Sequence, residues 1–129
     1  MEEKVAKHKT IIEEYLSAYN SFDIERMLDS VHRDVEFKNV SGGEVNAEAN
    51  GIEELRKMAE QSRKLFSSRQ QSIISFEDQG DIIIVGIKFE AILALDLPTG
   101  GKAGDSMNLV GTSIFEFRDG LLWRITDYS

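Results

Sequence analysis

The sequence predicts an α+β domain, with three helices packed in the concavity of a curved antiparallel sheet. Three observations carry this. Apolar residues recur at helical spacing mainly in the first half of the chain and alternate with polar ones in the second, so helices precede a strand meander. Two tight-turn signals, Gln79-Gly80-Asp81 and Arg118-Asp119-Gly120, separate long alternating runs. The one proline, Pro98, falls between the two longest of these runs, where it breaks no ladder.

Each element follows from its own pattern. Val5, Ile11, Ile12, Tyr15, Leu16, Tyr19 and Phe22 share a helical face among Glu and Lys, which predicts a first helix over residues 2–20. Asp23 is placed to cap a short second helix running through Met27 and Leu28 to about residue 31. Residues 34–38 alternate strictly, the mark of a strand with one buried face. Residues 41–50, with Gly42-Gly43, read as a loop or a short, weak strand. A third helix is expected to start at Asn50, with Glu53 in the capping-box position and Ile52, Leu55, Ala59, Ser62 and Phe66 as its inner stripe. Strands are expected over residues 72–77, 82–96, 106–117 and 121–128, with a hairpin connection around Gly100-Gly101.

Composition narrows the function classes. The 129 residues fit a single domain, 1–129, and 41% hydrophobic with 29% charged residues is the balance of a globular protein with a real core. A net charge of -8 argues against nucleic acid and anionic membrane surfaces as partners. The absence of cysteine excludes disulfides, thiolate zinc sites and thiol nucleophiles. The charged start, Met1-Glu2-Glu3-Lys4, has no apolar signal region, so a cytoplasmic location is expected. The most apolar stretch, residues 82–97, is broken by Lys88, Glu90 and Asp96 and is too short to span a bilayer. His8 and His32 lack metal-ligand spacing, so neither a metal nor a cofactor is expected, and His32 reads as a surface or capping residue. Gly100-Gly101-Lys102 lacks the spacing of a phosphate loop.

Strand parity sorts the second half into faces. Ile83, Val85, Ile87, Phe89, Ala91, Leu93 and Leu95 are expected inside, as are Met107, Leu109, Gly111, Ser113, Phe115 and Phe117. Val35, Phe37 and Asn39 share the inner face of the first strand; Trp123, Ile125, Asp127 and Ser129 share that of the last. Three polar residues thereby intrude on apolar faces: Asn39, Ser113 and Asp127. Tyr15 and Tyr19 join them from the first helix. A buried polar group costs a few kcal/mol unless it is hydrogen-bonded, so these groups either satisfy one another or line a cavity for a polar ligand.

The run "IIEEYLSAYNSFD", followed by Met27-Leu28 and "VHRDVEF", resembles the opening of the nuclear transport factor 2-like superfamily, and "GTSIFEFRDGLLWRITDYS" resembles its ending. The likeness is closest to the SnoaL-like polyketide cyclase branch and covers nearly the whole chain. It implies a cone-shaped α+β barrel around a hydrophobic pocket. Tyr15 matches the oxyanion-stabilising tyrosine of ketosteroid isomerases, but their base position holds Asn39 and their second donor position holds Ser113. Ketosteroid isomerase activity is therefore not expected. Nor does either histidine match the inward histidines of scytalone dehydratase. Asp127 matches the acid/base aspartate of SnoaL-like cyclases.

Two function classes stand open. One is a cofactorless acid/base enzyme of cyclase, isomerase or hydrolase type, acting on a small apolar, carbonyl-bearing molecule. Its catalytic residues would be Asp127 and Tyr15, with Tyr19, Phe37, Asn39, Ser113, Phe115 and Trp123 binding the ligand. The other is a non-catalytic ligand-binding or dimerisation module of the same fold. Ile82, Ile84, Val110, Thr112, Ile114, Leu122 and Tyr128 form an outer face too apolar for water, and a homodimer through that face is expected.

Overall fold

A computed structural model gives the fold and describes residues 2–129, with side chains from Lys7 onward; the Val5 side chain, expected on the first helical stripe, lies outside those described. Three helices, α1 (Glu2–Asn20), α2 (Ile24–Leu28) and α3 (Ile52–Arg63), accompany six strands: β1 (Val31–Ser41), β2 (Glu44–Asn50), β3 (Phe66–Asp78), β4 (Ile82–Leu93), β5 (Ser106–Arg118) and β6 (Leu121–Tyr128). The strands form one curved sheet in the order β2-β1-β6-β5-β4-β3. It is antiparallel except where β1 and β6, the second and third strands in that order, run parallel. Ile12 and Leu16 of α1, Met27 and Leu28 of α2 and Leu55 of α3 pack against Val35, Ile83, Val85, Phe115 and Ile125 of the sheet. No described helix is long and apolar enough to cross a membrane.

The ends of α1 and β1 frame the cavity. α1 closes with a left-handed residue, Phe22, at φ 60°. The Phe22 N–H donates to the Tyr19 carbonyl and the Asp23 N–H to the Ala18 carbonyl, the paired bonds of a Schellman stop. Asp23 then caps α2 by accepting from the Arg26 N–H at 3.2 Å, as its position predicts. α2 ends at Leu28 rather than near residue 31, because Val31 already pairs with Leu122 in the sheet.

Other boundaries shift for local reasons. Residues 44–50 form a full strand, β2, turned back on β1 by Gly42 and Gly43, which both have positive φ as a two-residue hairpin turn requires. The cap of α3 lies one residue later than expected. Gly51 is the N-cap, Glu54 reaches back to the Asn50 N–H at 2.9 Å, and Glu53 pairs with Arg56 instead. α3 also ends earlier, so Phe66 opens β3 rather than closing a helical stripe. β4 stops at Leu93, which leaves Leu95 exposed in the connection. His32 is buried, not superficial: its Nδ1 accepts from the Asp34 N–H at 3.0 Å and its Nε2 meets Asp119 at 3.3 Å.

One irregularity reverses two assignments. β5 pairs Glu116 with Arg124 but Phe117 with Leu122, so Trp123 is the extra residue of a β-bulge. A bulge resets strand parity. Leu122, expected outside, enters the core at 0% exposure. Trp123, expected inside, is stacked by the Arg118 and Arg124 guanidiniums at 3.8 and 4.2 Å from its ring centroid. Beyond the bulge the expected parity holds, and Ile125 is buried.

Candidate functional site

A cavity of about 500 Å³ lies between the helices and the inner face of the sheet. Its polar floor is a single row across three neighbouring strands. Asn39 of β1 stands opposite Asp127 of β6, and Asp127 stands opposite Ser113 of β5. The three polar intruders of the sequence thus meet, and all three line the cavity. The Ser113 hydroxyl donates to Asp127 Oδ1 at 2.6 Å. The Asn39 amide turns away, donating to Asn46 Oδ1 at 2.7 Å. Asn46 is the unpaired residue of a second bulge, between the pairs Asn39–Ala47 and Val40–Val45. Removal from water pushes the Asp127 pKa up to about 6, against a smaller downward pull from the Ser113 hydrogen bond. A carboxyl poised there exchanges protons near neutral pH.

Tyr15 and Tyr19 lie four residues apart on one face of α1 and both line the cavity. Burial raises both phenol pKa values, and the Asp127 charge adds to the rise at Tyr15, so both hydroxyls stay protonated and able to donate. Phe37 lines the cavity from β1. Phe115 and Trp123 do not. Phe115 lies behind Tyr15, edge-on at 6.0 Å between centroids, and Trp123 leaves with the bulge. Apolar walls come from Leu55 and Met58 of α3, Phe66 of β3 and Phe89 of β4.

Sequence reasoning missed Arg69. It is 6% exposed and lines the cavity from β3. Its Nε donates to the Tyr19 carbonyl at 2.9 Å, and its guanidinium lies 3.7 Å from the centroid of the Tyr19 ring. Gln71, two residues on, shares this face, while its backbone pairs with the Asn20 side chain: Asn20 Oδ1 accepts from the Gln71 N–H at 2.7 Å. The end of α1 is therefore sewn to β3 at the cavity wall. The signal was present in the alternation Arg69, Gln71, Ile73, once the strand is begun at Phe66. Among the described residues, no three of His, Asp and Glu converge as a metal-binding group.

Fold and site together define a cone-shaped α+β protein with an internal cavity. Residues 12–125 match the SnoaL-like domain model, and the chain belongs to that family. No curated protein matches it significantly. Among solved structures, it resembles a provisionally assigned polyketide cyclase from Xanthomonas campestris pv. campestris at TM-score 0.81 and 20% identity, over 96% of this chain and 90% of that one. IdmH, a provisionally assigned polyketide cyclase from Streptomyces antibioticus, aligns at TM-score 0.77 and 12% identity over 92% and 88% of the two chains. An M. tuberculosis LEH-like epoxide hydrolase aligns at TM-score 0.75 and 15% identity over 95% and 82%. At these identities the likeness establishes the fold, while the site must be argued from its own residues.

Proposed function

We propose that this chain is a cofactorless acid/base enzyme acting on an apolar, carbonyl-bearing small molecule, with Asp127 as the proton-transfer group. The carrying observation is a carboxyl in a cavity wall whose one hydrogen-bond partner among the described residues is the Ser113 hydroxyl, and withdrawal from water pushes its pKa up to about 6. Asp127 takes a proton from the carbon next to a carbonyl. The oxygen of the resulting enolate accepts hydrogen bonds from Tyr15 or Tyr19. The enolate carbon then either attacks a second carbonyl of the same molecule, closing a ring as Asp127 returns its proton to the new alkoxide, or takes the proton back from Asp127 at another position. The two folds of similar shape that are provisionally assigned as polyketide cyclases support this chemistry by analogy. Phe37, Asn39 and the apolar walls would position the ligand.

The reading extends to assembly as a homodimer in the cytoplasm. The outer sheet face offers Val110, Tyr128 and Ile82 as exposed large apolar residues, with Leu122 now removed from it. Sedimentation at micromolar concentration should give twice the 14.6 kDa chain mass, and a species of one chain mass would exclude the dimer.

The test of catalysis is Asp127→Asn, which keeps shape and removes the proton acceptor. Turnover of a substrate found by screening carbonyl-bearing polyketide-like compounds should fall ~100-fold or more, with substrate affinity little changed. An unchanged rate in a folded variant would remove Asp127 from the chemistry, and a wild type that binds such compounds without converting any of them would be a binding module.

A further inference from the structure

The acid/base reading leaves Arg69 unexplained. A full charge withdrawn from water costs several kcal/mol unless partners replace the lost hydration. Arg69 has partners on some sides only. One edge of its guanidinium is held by the Tyr19 carbonyl at the C-terminal end of α1. The rings of Tyr19 and Phe22 cover it at 3.7 and 4.5 Å, a cation–π arrangement. Phe22 adopts its left-handed backbone at the turn that brings this ring there. Yet Nη1 is buried with no hydrogen-bond partner among the described residues. A native buried donor in that condition is uncommon.

Nor, among the described residues, does a carboxylate pair with Arg69. The groups that act on Arg69 are the tyrosines at 19 and 15 and a second cation, Arg63. Asp127, the other charged side chain lining the cavity, is held by Ser113, and Arg69 is not among the groups acting on it. The cavity thus carries a proton-transfer carboxyl in one part and an unmatched cation in another.

We propose that the cavity takes an organic anion: a small apolar molecule bearing one carboxylate or one acidic enol, with that group drawn toward Arg69 and its body against Leu55, Met58, Phe66 and Phe89. This names the substrate class of the site proposed above and rests on that reading. An anion seated so supplies the missing counter-charge and leaves the far part of the molecule to Asp127. The apolar walls exclude a bare inorganic anion, which they would desolvate without return.

A matched pair of fluorescent probes tests this. 8-Anilino-1-naphthalenesulfonate carries one negative charge, and N-phenyl-1-naphthylamine is the same ring system without it. The wild-type chain should bind the sulfonate about tenfold more tightly or better, the range of one charge-assisted contact. Arg69→Met should abolish that preference and still bind the neutral probe, while Arg69→Lys should keep part of it. Ala59→Trp, which fills the cavity from α3, should weaken both probes. Equal affinities in the wild type, or a preference that survives Arg69→Met, would overturn the proposal while leaving an uncharged-ligand pocket standing. Sulfonate binding that survives Ala59→Trp lies outside the cavity and would also overturn it. Failure of the wild type to bind either probe would remove the pocket reading together with this inference. Melting curves establish that each variant is folded. If Arg69→Met is not, the wild-type probe ratio and its partial retention in Arg69→Lys decide by the same criteria.

Discussion

Two half-buried aspartates on the inner side of this sheet are treated in opposite ways. Asp78, at the end of β3, has both oxygens engaged. One meets His8 Nδ1 at 3.2 Å, and the other accepts from the Gly80 N–H at 2.8 Å. His8 in turn stacks on Phe117, with ring centroids 4.1 Å apart. Asp127, in the middle of the sheet, has one hydroxyl partner and a cavity in front of it. Asp78 spends its oxygens on an imidazole and a backbone donor, and that imidazole is itself stacked on an aromatic ring, which is how a carboxylate joins a structural knot. Asp127 is left with hydrogen-bonding capacity unspent and a pKa pushed up to about 6. Burial alone therefore does not mark a functional carboxyl; the combination of burial, few partners and open space does.

The contrast can be broken by substituting each side. The largest separation is in rate: Asp127→Asn should lose ~100-fold or more in turnover, the worth of a positioned acid/base, while Asp78→Asn leaves turnover per folded molecule nearly unchanged. Next is stability. Asp78→Ala strands the buried His8 ring, while water can replace it at the exposed Gly80 N–H, and it should cost about 1–3 kcal/mol, read from denaturant unfolding. A loss too small to measure would mean that the knot is not structural.

The smallest effect has the opposite sign. Asp127 has a folded pKa raised from 3.8 to about 6, so between these values the folded chain binds more protons than the unfolded one. Stability from this group is present at low pH and is lost as pH rises through 6. Asp127→Asn is always neutral, so it should match the wild type at pH 4 and exceed it at pH 8 by about 1–3 kcal/mol. A variant less stable than wild type at pH 8 would show that the carboxylate is held there for structure. Stability gained together with activity lost is the usual signature of a residue kept for chemistry.

Parity was enough to read the floor of the site. Asn39, Ser113 and Asp127 each sit on an apolar face of an alternating strand, and pairing then places them side by side. Helical spacing likewise put Tyr15 and Tyr19 on the cavity side. What parity could not foresee was its own interruption. The extra residue at Trp123 exchanges the faces of residues 122 and 123, and no turn residue announces it. Arg69 was hidden differently. Extending the α3 stripe through Phe66 and starting the next strand at Ser72 left it in a gap between elements, so its face was never assigned. The parallel pairing of β1 with β6 joins segments some eighty residues apart, and local pattern carries no trace of it. Even so, a burial pattern alone would have ranked Asp78 and Asp127 alike; their difference lies in partners contributed by α1 and by the turn after β3.

The titration of the Asp127 side-chain carboxyl, followed by carbon-13 NMR with Asp127→Asn to assign its resonance, tests the central claim most directly. A midpoint at about pH 6 is expected for a desolvated carboxyl held by one hydroxyl. A midpoint at or below the ordinary aspartate value of 3.8 would contradict it, because a carboxyl ionised so easily is solvated or paired and has no proton to exchange near neutral pH.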